Sequence, residues 1–242
     1  MKISLIIPMY NESKIIADTA KTVSEYMKAT FEDYEVIFVD DGSKDNSAQI
    51  VESLGYPNMK VSGYGGNKGK GAAVRHGMLE AEGDVIMFTD ADLAYGTGVI
   101  KRVYDIFASD SETKIVTGSR NLASDGYEGY TALRKLMSKV YIKVLCIVGG
   151  FKLSDSQCGC KAFCNAAAKD IFSKCEVNGF AFDFEAILWA GKLGYGITEM
   201  PVKIINHRES KVNVIKDTLR MLRDLRRIKK SVKVKAKEQG IK

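Results

Sequence analysis

Two aspartates one residue apart, Asp90 and Asp92, close the apolar run Val85-Ile-Met-Phe-Thr89. Carboxylates this close repel each other unless a cation lies between them. A hard divalent ion, Mg2+ or Mn2+, suits such a pair, because substrate phosphates complete its coordination. The segment therefore reads as a metal site for a diphosphate. Asp also serves solvated turns and helix N-caps, so the pair alone leaves that structural use open.

Two more polar clusters follow apolar runs. Pro8-Met-Tyr10-Asn11-Glu12 comes after the first, and Asp40-Asp41-Gly42-Ser43 after the second. An acidic group at a strand end can accept a base N–H and ribose hydroxyls, and a tyrosine can stack on the base. Each cluster is also a turn with a helix cap. The stretch Gly63-Tyr-Gly-Gly-Asn67-Lys68-Gly69-Lys70-Gly71 is neither a dinucleotide fingerprint nor a P-loop, since Lys68 and Gly71 stand where those motifs need a glycine and a hydroxyl. It remains a lysine-bearing, glycine-rich loop before a helix, suited to an anion or simply flexible.

The elements that must position these residues alternate between strand and helix periods. Strands are expected over 3–8, 35–39, 59–62, 85–89 and 114–118, and helices over 12–29, 43–54, 71–81 and 97–108. The run 85–88 is apolar throughout, as a central parallel strand covered on both faces must be. The fold class expected is α/β, a mostly parallel, Rossmann-like sheet flanked by helices. Such sheets bind ligands past the carboxyl ends of their strands. Farther on, 132–148 reads as a helix with an apolar face and Arg134, Lys135, Lys139 and Lys143 towards the other. A helix over 183–193 and a short strand over 196–202 follow.

At 242 residues and 45% hydrophobic content, one large domain is expected over 1–215. Residues 216–242 hold eleven Lys and Arg against three Asp and Glu, so the net charge of +6 belongs to a basic, amphipathic C-terminal helix or tail. That segment suits anionic lipid headgroups or a solvated face. Nucleic acid is disfavoured, because the basic residues lack interleaved aromatics for stacking. Five cysteines, an odd number with no Cys-x-x-Cys, read as reduced thiols packed as small hydrophobes in a cytosolic protein. No apolar window is long enough to span a bilayer.

Taken together, the motifs resemble the family 2 glycosyltransferases of the GT-A type, within them the polyprenyl-phosphate branch and most of all the dolichyl-phosphate glucosyltransferases. The resemblance covers roughly residues 3–230 and rests on the clusters above with Gly118-Ser-Arg120, Asp155-Ser-Gln157-Cys158-Gly159, Phe182-Asp183-Phe-Glu185 and Ser210-Lys211-Val. It implies that Pro8, Tyr10, Asn11, Glu12, Asp40, Asp41 and Lys70 hold a nucleotide sugar and that Asp90 and Asp92 bind the metal on its diphosphate. It implies further that Arg120, Arg134, Arg208, Ser210 and Lys211 grip an acceptor phosphate. Asp92, Asp183 and Glu185 are the catalytic candidates. The chain departs from the pattern at Ala94, where some relatives carry a glutamine, at Glu209 in place of a glycine, and at Cys160 in place of an aromatic.

The expected reaction is inverting transfer of a hexose, glucose from UDP-glucose, to a dolichyl or undecaprenyl phosphate. The expected place is the cytoplasm, peripherally on the inner face of a membrane, with a homo-oligomer left open. The alternatives are a family 2 transferase acting on a saccharide hydroxyl and a non-catalytic nucleotide-sugar binding module.

Overall fold

The computed structural model describes residues 1–206 and 214–241, with the backbone alone over 214–223. Its described strands form one seven-stranded sheet. In chain order they are β1 (Ile3–Met9), β2 (Tyr34–Asp40), β3 (Met59–Gly63), β4 (Val85–Phe88), β5 (Ile115–Ser119), β6 (Lys161–Cys164) and β7 (Ile197–Pro201). The spatial order is β3-β2-β1-β4-β6-β5-β7. All pairings are parallel except those of β6, which runs antiparallel to both β4 and β5. The parallel strands are apolar because helices cover both of their faces; Leu5, Ile6 and Ile7 of β1 and all four residues of β4 are buried.

The helices are α1 (Ile16–Thr30), α2 (Ser47–Ser53), α3 (Lys70–Glu80), α4 (Gly98–Ser109), α5 (Ala132–Gly149), α6 (Asn165–Phe172), α7 (Phe182–Lys192) and α8 (Val214–Glu238). One core layer joins α1 and α4 to the sheet, and a second joins α3, α6, α7 and α8 to its other face. Helix α3 lies close on the sheet because of Gly77, where a Cβ would come within 2.4 Å of Ile6 and 2.9 Å of Val39.

Two helices start later than their periodicity suggests. Asn11, Glu12 and Ser13 donate their backbone N–H groups to Ser43, Ser47 and Asp45, and Asp40 takes the Ser43 N–H. Side-chain acceptors of this kind compete with the helical ladder, which is why α1 opens at Ile16 and α2 at Ser47. Asp45 ties the two starts together. Burial works to raise its carboxyl, but hydrogen bonds from Ser47 and Ser13 outweigh it and hold the group at about 2. A folded-state value below the unfolded one stabilises above the ordinary 3.8 and is lost as pH falls towards about 2. Denaturant titrations at stepped pH should therefore show Asp45→Asn flattening the stability loss in that window.

Strand β6 and helix α6 were not anticipated by the sequence patterns. Four residues, Lys161-Ala-Phe-Cys164, carry too short a signal, and a lysine among them reads as a loop. The C-terminal segment also differs from expectation. Leu225, Ile228, Val232 and Ala236, spaced along one face of α8, are buried in the second core layer with α7, while Arg226, Arg227, Lys229 and Lys230 face outward. Over residues 224–241 the apolar stripe is thus consumed inside the molecule. Fully burying each larger residue contributes about 1.5–3 kcal/mol, so cutting the chain at 231 would remove core rather than a free tail.

Candidate active site

The ends of β1, β2 and β4 open on a cleft of about 950 Å³. Asp90 and Asp92 lie on its floor in a tight loop beyond β4. There the Leu93 N–H bonds the Asp90 carbonyl at 2.9 Å, and Leu93 itself has a φ of 48°. A left-handed branched residue costs of order 1–3 kcal/mol and persists only when its surroundings over-determine it. They do so here: Thr19 Oγ1 donates to the Ala91 carbonyl at 2.7 Å, and Asn206 Nδ2 to the Leu93 carbonyl at 2.9 Å. The Asp92 carboxylate accepts the Ala94 N–H at 3.1 Å.

Behind Asp90 stands Gly159, where a Cβ would lie 2.3 Å from Asp90 Oδ2. In front of it, Lys70 Nζ lies 2.5 Å from Asp90 Oδ1. Burial opposes the charge on Lys70, but Asp90, helped by Asp183 and Asp92, outweighs it, so the ammonium is held above its ordinary pKa. The donor set fits a hard divalent ion, since both carboxylates of one rigid loop face the cleft and the first already holds a cation.

The acidic end of β2 also makes bonds within the protein. Asp41 is buried, and its carboxylate accepts the Tyr64 hydroxyl at 2.8 Å, the Asn67 side-chain amide at 2.8 Å and the backbone N–H groups of Lys68 and Gly69. It therefore folds the glycine-rich loop and roots Lys70. Asp40 accepts from Ser43 Oγ and does not line the cleft. Asn11, with a φ of 54°, spends its carbonyl oxygen on the Lys44 N–H. Pro8, Tyr10, Asn11 and Glu12 do line the cleft beside Asp41 and Lys70.

At the opposite side the wall is basic and aromatic. Arg120, only 9% exposed, makes a two-pronged pair with the fully buried Asp155, Nε to Oδ2 at 2.6 Å and Nη2 to Oδ1 at 3.0 Å. Asp155 had no role in the sequence reading; a buried guanidinium demands such a partner. Glu199 of β7 braces that carboxylate's loop, accepting the N–H groups of Ser154 at 2.9 Å and Asp155 at 3.2 Å. Arg134, the third residue of α5, lies over the Tyr130 ring at 4.0 Å. Both arginines line the cleft, as do Tyr130 and Phe180. Arg208, Ser210 and Lys211 lie outside the described residues.

The carboxylates of α7 do not join the cleft wall. Asp183 is paired with the buried Lys161, Nζ to Oδ1 at 2.8 Å, and burial raises its pKa despite that partner. Lys161 also donates to the Cys158 carbonyl at 2.7 Å. Glu185 accepts the N–H groups of Glu176 and Val177 at 2.8 and 2.7 Å, which anchors the turn before α7. The expectation that Glu185 serves as a catalytic carboxylate therefore meets a buried side chain already committed to backbone donors. Cys158, Cys160 and Cys175 are buried as small hydrophobes, and burial pushes the Cys158 thiol up to about 11.

A mostly parallel sheet whose strand ends gather an Asp-x-Asp loop, a lysine-bearing loop and an arginine wall is the framework of a glycosyltransferase of the GT-A type. The chain belongs to Glycosyl transferase family 2, whose pattern matches residues 4–172. More particularly, it is similar to the dolichyl-phosphate beta-glucosyltransferase of Dictyostelium discoideum, 32% identical over 94% of this chain and 73% of that one. The enzyme of the same name from Saccharomyces cerevisiae is 28% identical over 92% of this chain and 72% of its own. Among solved structures, glucosyl-3-phosphoglycerate synthase from Mycobacterium tuberculosis, in complex with Mn2+, UDP and phosphoglyceric acid, superposes with a TM-score of 0.71. It is 16% identical and covers 96% of this chain and 78% of that one, a likeness of fold.

Proposed function

We propose that this protein transfers glucose from UDP-glucose to a polyprenyl phosphate of the dolichyl or undecaprenyl type, inverting the anomeric carbon, at a membrane surface. The observation that carries the reading is a single cleft with a carboxylate pair and a lysine at one side and two arginines at the other. A divalent ion on Asp90 and Asp92 would stabilise the charge that develops on the departing diphosphate. Lys70 adds a second cation on the same side.

The acceptor oxygen of a phosphate monoester is ionised near neutral pH, so it needs placing rather than deprotonation. Arginine forks suit that task. Asp155 occupies Nε and Nη2 of Arg120 and so fixes the direction of the rest of the guanidinium. The commitments of Asp183 to Lys161 and of Glu185 to backbone N–H groups agree with a reaction that uses no general base. The similarity to enzymes named dolichyl-phosphate beta-glucosyltransferase supports the donor and acceptor.

The membrane contact falls on α5. No described helix is long and apolar enough to cross a bilayer. Yet Leu133, Leu136, Val140 and Ile147 are 55–71% exposed, at spacings that align them on one stripe, with Lys135, Lys139 and Lys143 exposed beside it. A helix so built lies in the interface plane, its lysines reaching the headgroups. Arg134 on the same helix then sets the cleft against the lipid. Leu136→Glu with Val140→Glu should weaken binding to vesicles of anionic lipid at least tenfold while leaving turnover of a short, water-soluble prenyl phosphate within about twofold; sedimentation and a radiolabel assay read the two.

The reaction itself is tested with purified protein, Mn2+ or Mg2+ and each of UDP-glucose, GDP-mannose and UDP-N-acetylglucosamine, with and without polyprenyl phosphate. Lipid-linked glucose with release of UDP is the expected result. Donor binding with glycosylation of a saccharide and never of a prenyl phosphate would replace the acceptor assignment.

A further inference from the structure

Lys70 and Asp90 raise a question of occupancy. The cation on Asp90 is an ammonium, 2.5 Å from Oδ1. An ion and an ammonium cannot share that oxygen at contact distance without strong repulsion. Asp90 has no room to retreat from either, because Gly159 backs its other oxygen so closely that even a Cβ would stand 2.3 Å away.

The root of Lys70 is equally fixed. The Gly69 N–H is held by Asp41 at 2.9 Å, and the Gly71 N–H by the Asn178 carbonyl at 2.8 Å. Only the four-carbon stem of Lys70 can move, and the side chain as a whole is about a quarter exposed. Leaving Asp90 strands the ammonium unless another anion takes it, and a diphosphate on the same floor is such an anion.

We infer that Lys70 is the resident cation the divalent ion must displace from Asp90, and that the donor's diphosphate, by accepting the displaced ammonium, couples metal binding to nucleotide binding. This rests on Asp90 and Asp92 being the metal ligands, as proposed above. By linkage, whatever factor the nucleotide adds to metal affinity, the metal adds to nucleotide affinity. Free metal would bind weakly, and so would free nucleotide.

The test needs no sugar transfer. Mn2+ affinity is measured by electron paramagnetic resonance on the full chain, alone and with saturating UDP, for the wild type, Lys70→Gln and Lys70→Met, with circular dichroism to establish folding. Typical coupling factors run about 5–150-fold. UDP should tighten Mn2+ on the wild type by about 10–100-fold. Both variants should bind Mn2+ alone more tightly than the wild type does, by a factor of that order, and gain several-fold less from UDP than the wild type does, the direct ligation of Mn2+ by the diphosphate remaining. Equal Mn2+ affinity for wild type and variants without UDP overturns the role of Lys70 and leaves the metal assignment standing. Mn2+ binding to none of the proteins, with or without UDP, overturns both.

Discussion

Alanine at position 155 should destabilise the fold by about 3–5 kcal/mol, the usual cost of leaving one member of a buried ion pair uncompensated. Asp155 is fully buried and holds Arg120 by two side-chain bonds and a backbone N–H. Without it the guanidinium stays below the surface under the Tyr127 ring, 5.2 Å from its centroid, with no anion to balance it. Against total stabilities of about 5–15 kcal/mol this is a large fraction. Urea unfolding at neutral pH should show it as a lower midpoint with an unchanged slope. Asp155→Asn keeps the volume and one acceptor, so it should cost less in stability while still lowering kcat/KM for the lipid acceptor, since the fork is no longer matched by a carboxylate. An alanine variant as stable as the wild type would show that Arg120 finds solvent or another partner at no cost.

Gly159→Ala should cut kcat by about 100-fold, the scale on which a misplacement of about 1 Å acts. The added methyl would meet Asp90 Oδ2 at 2.3 Å and Cγ at 3.0 Å, so the carboxylate must shift. Asp90 sits in a loop pinned by Thr19 and Asn206, and it faces Lys70. The shift is therefore taken up at the reacting side of the group rather than by the backbone. The same variant should weaken Mn2+ binding while its thermal midpoint moves by only a few degrees, because no core contact is lost. Wild-type turnover would mean that the carboxylate tolerates displacement.

The parallel half of the sheet was legible because its strands are unbroken apolar runs and their ends carry polar clusters. Boundaries followed to within one residue at each end for β1 to β5. Asp41 was harder, because a carboxylate at a strand end suits a ligand and its own neighbouring loop equally well. The loop use shows only in the return of Tyr64, Asn67, Lys68 and Gly69 onto it, a contact between residues more than twenty positions apart. Lys161 was missed because a charge in a four-residue strand breaks the pattern used to find strands. Glu185 stands in a motif, yet its partners in the structure are backbone groups that no side-chain pattern reveals.

Strand β6 also settles how the two sides of the cleft meet. A reversed strand presents its beginning where its neighbours present their finish. Chain leaving the sheet supplies Asp90 and Asp92, while chain about to enter it supplies Asp155, Gln157 and Gly159. The two walls are therefore aligned by one short seam, Val85 against Cys164 through Phe88 against Lys161. Sliding that seam by a single residue would carry the arginine wall about 3.3 Å along the aspartate floor and turn every β6 side chain to the opposite face. Lys161, locked to Asp183 on the face towards α7, acts as the detent that forbids the slide.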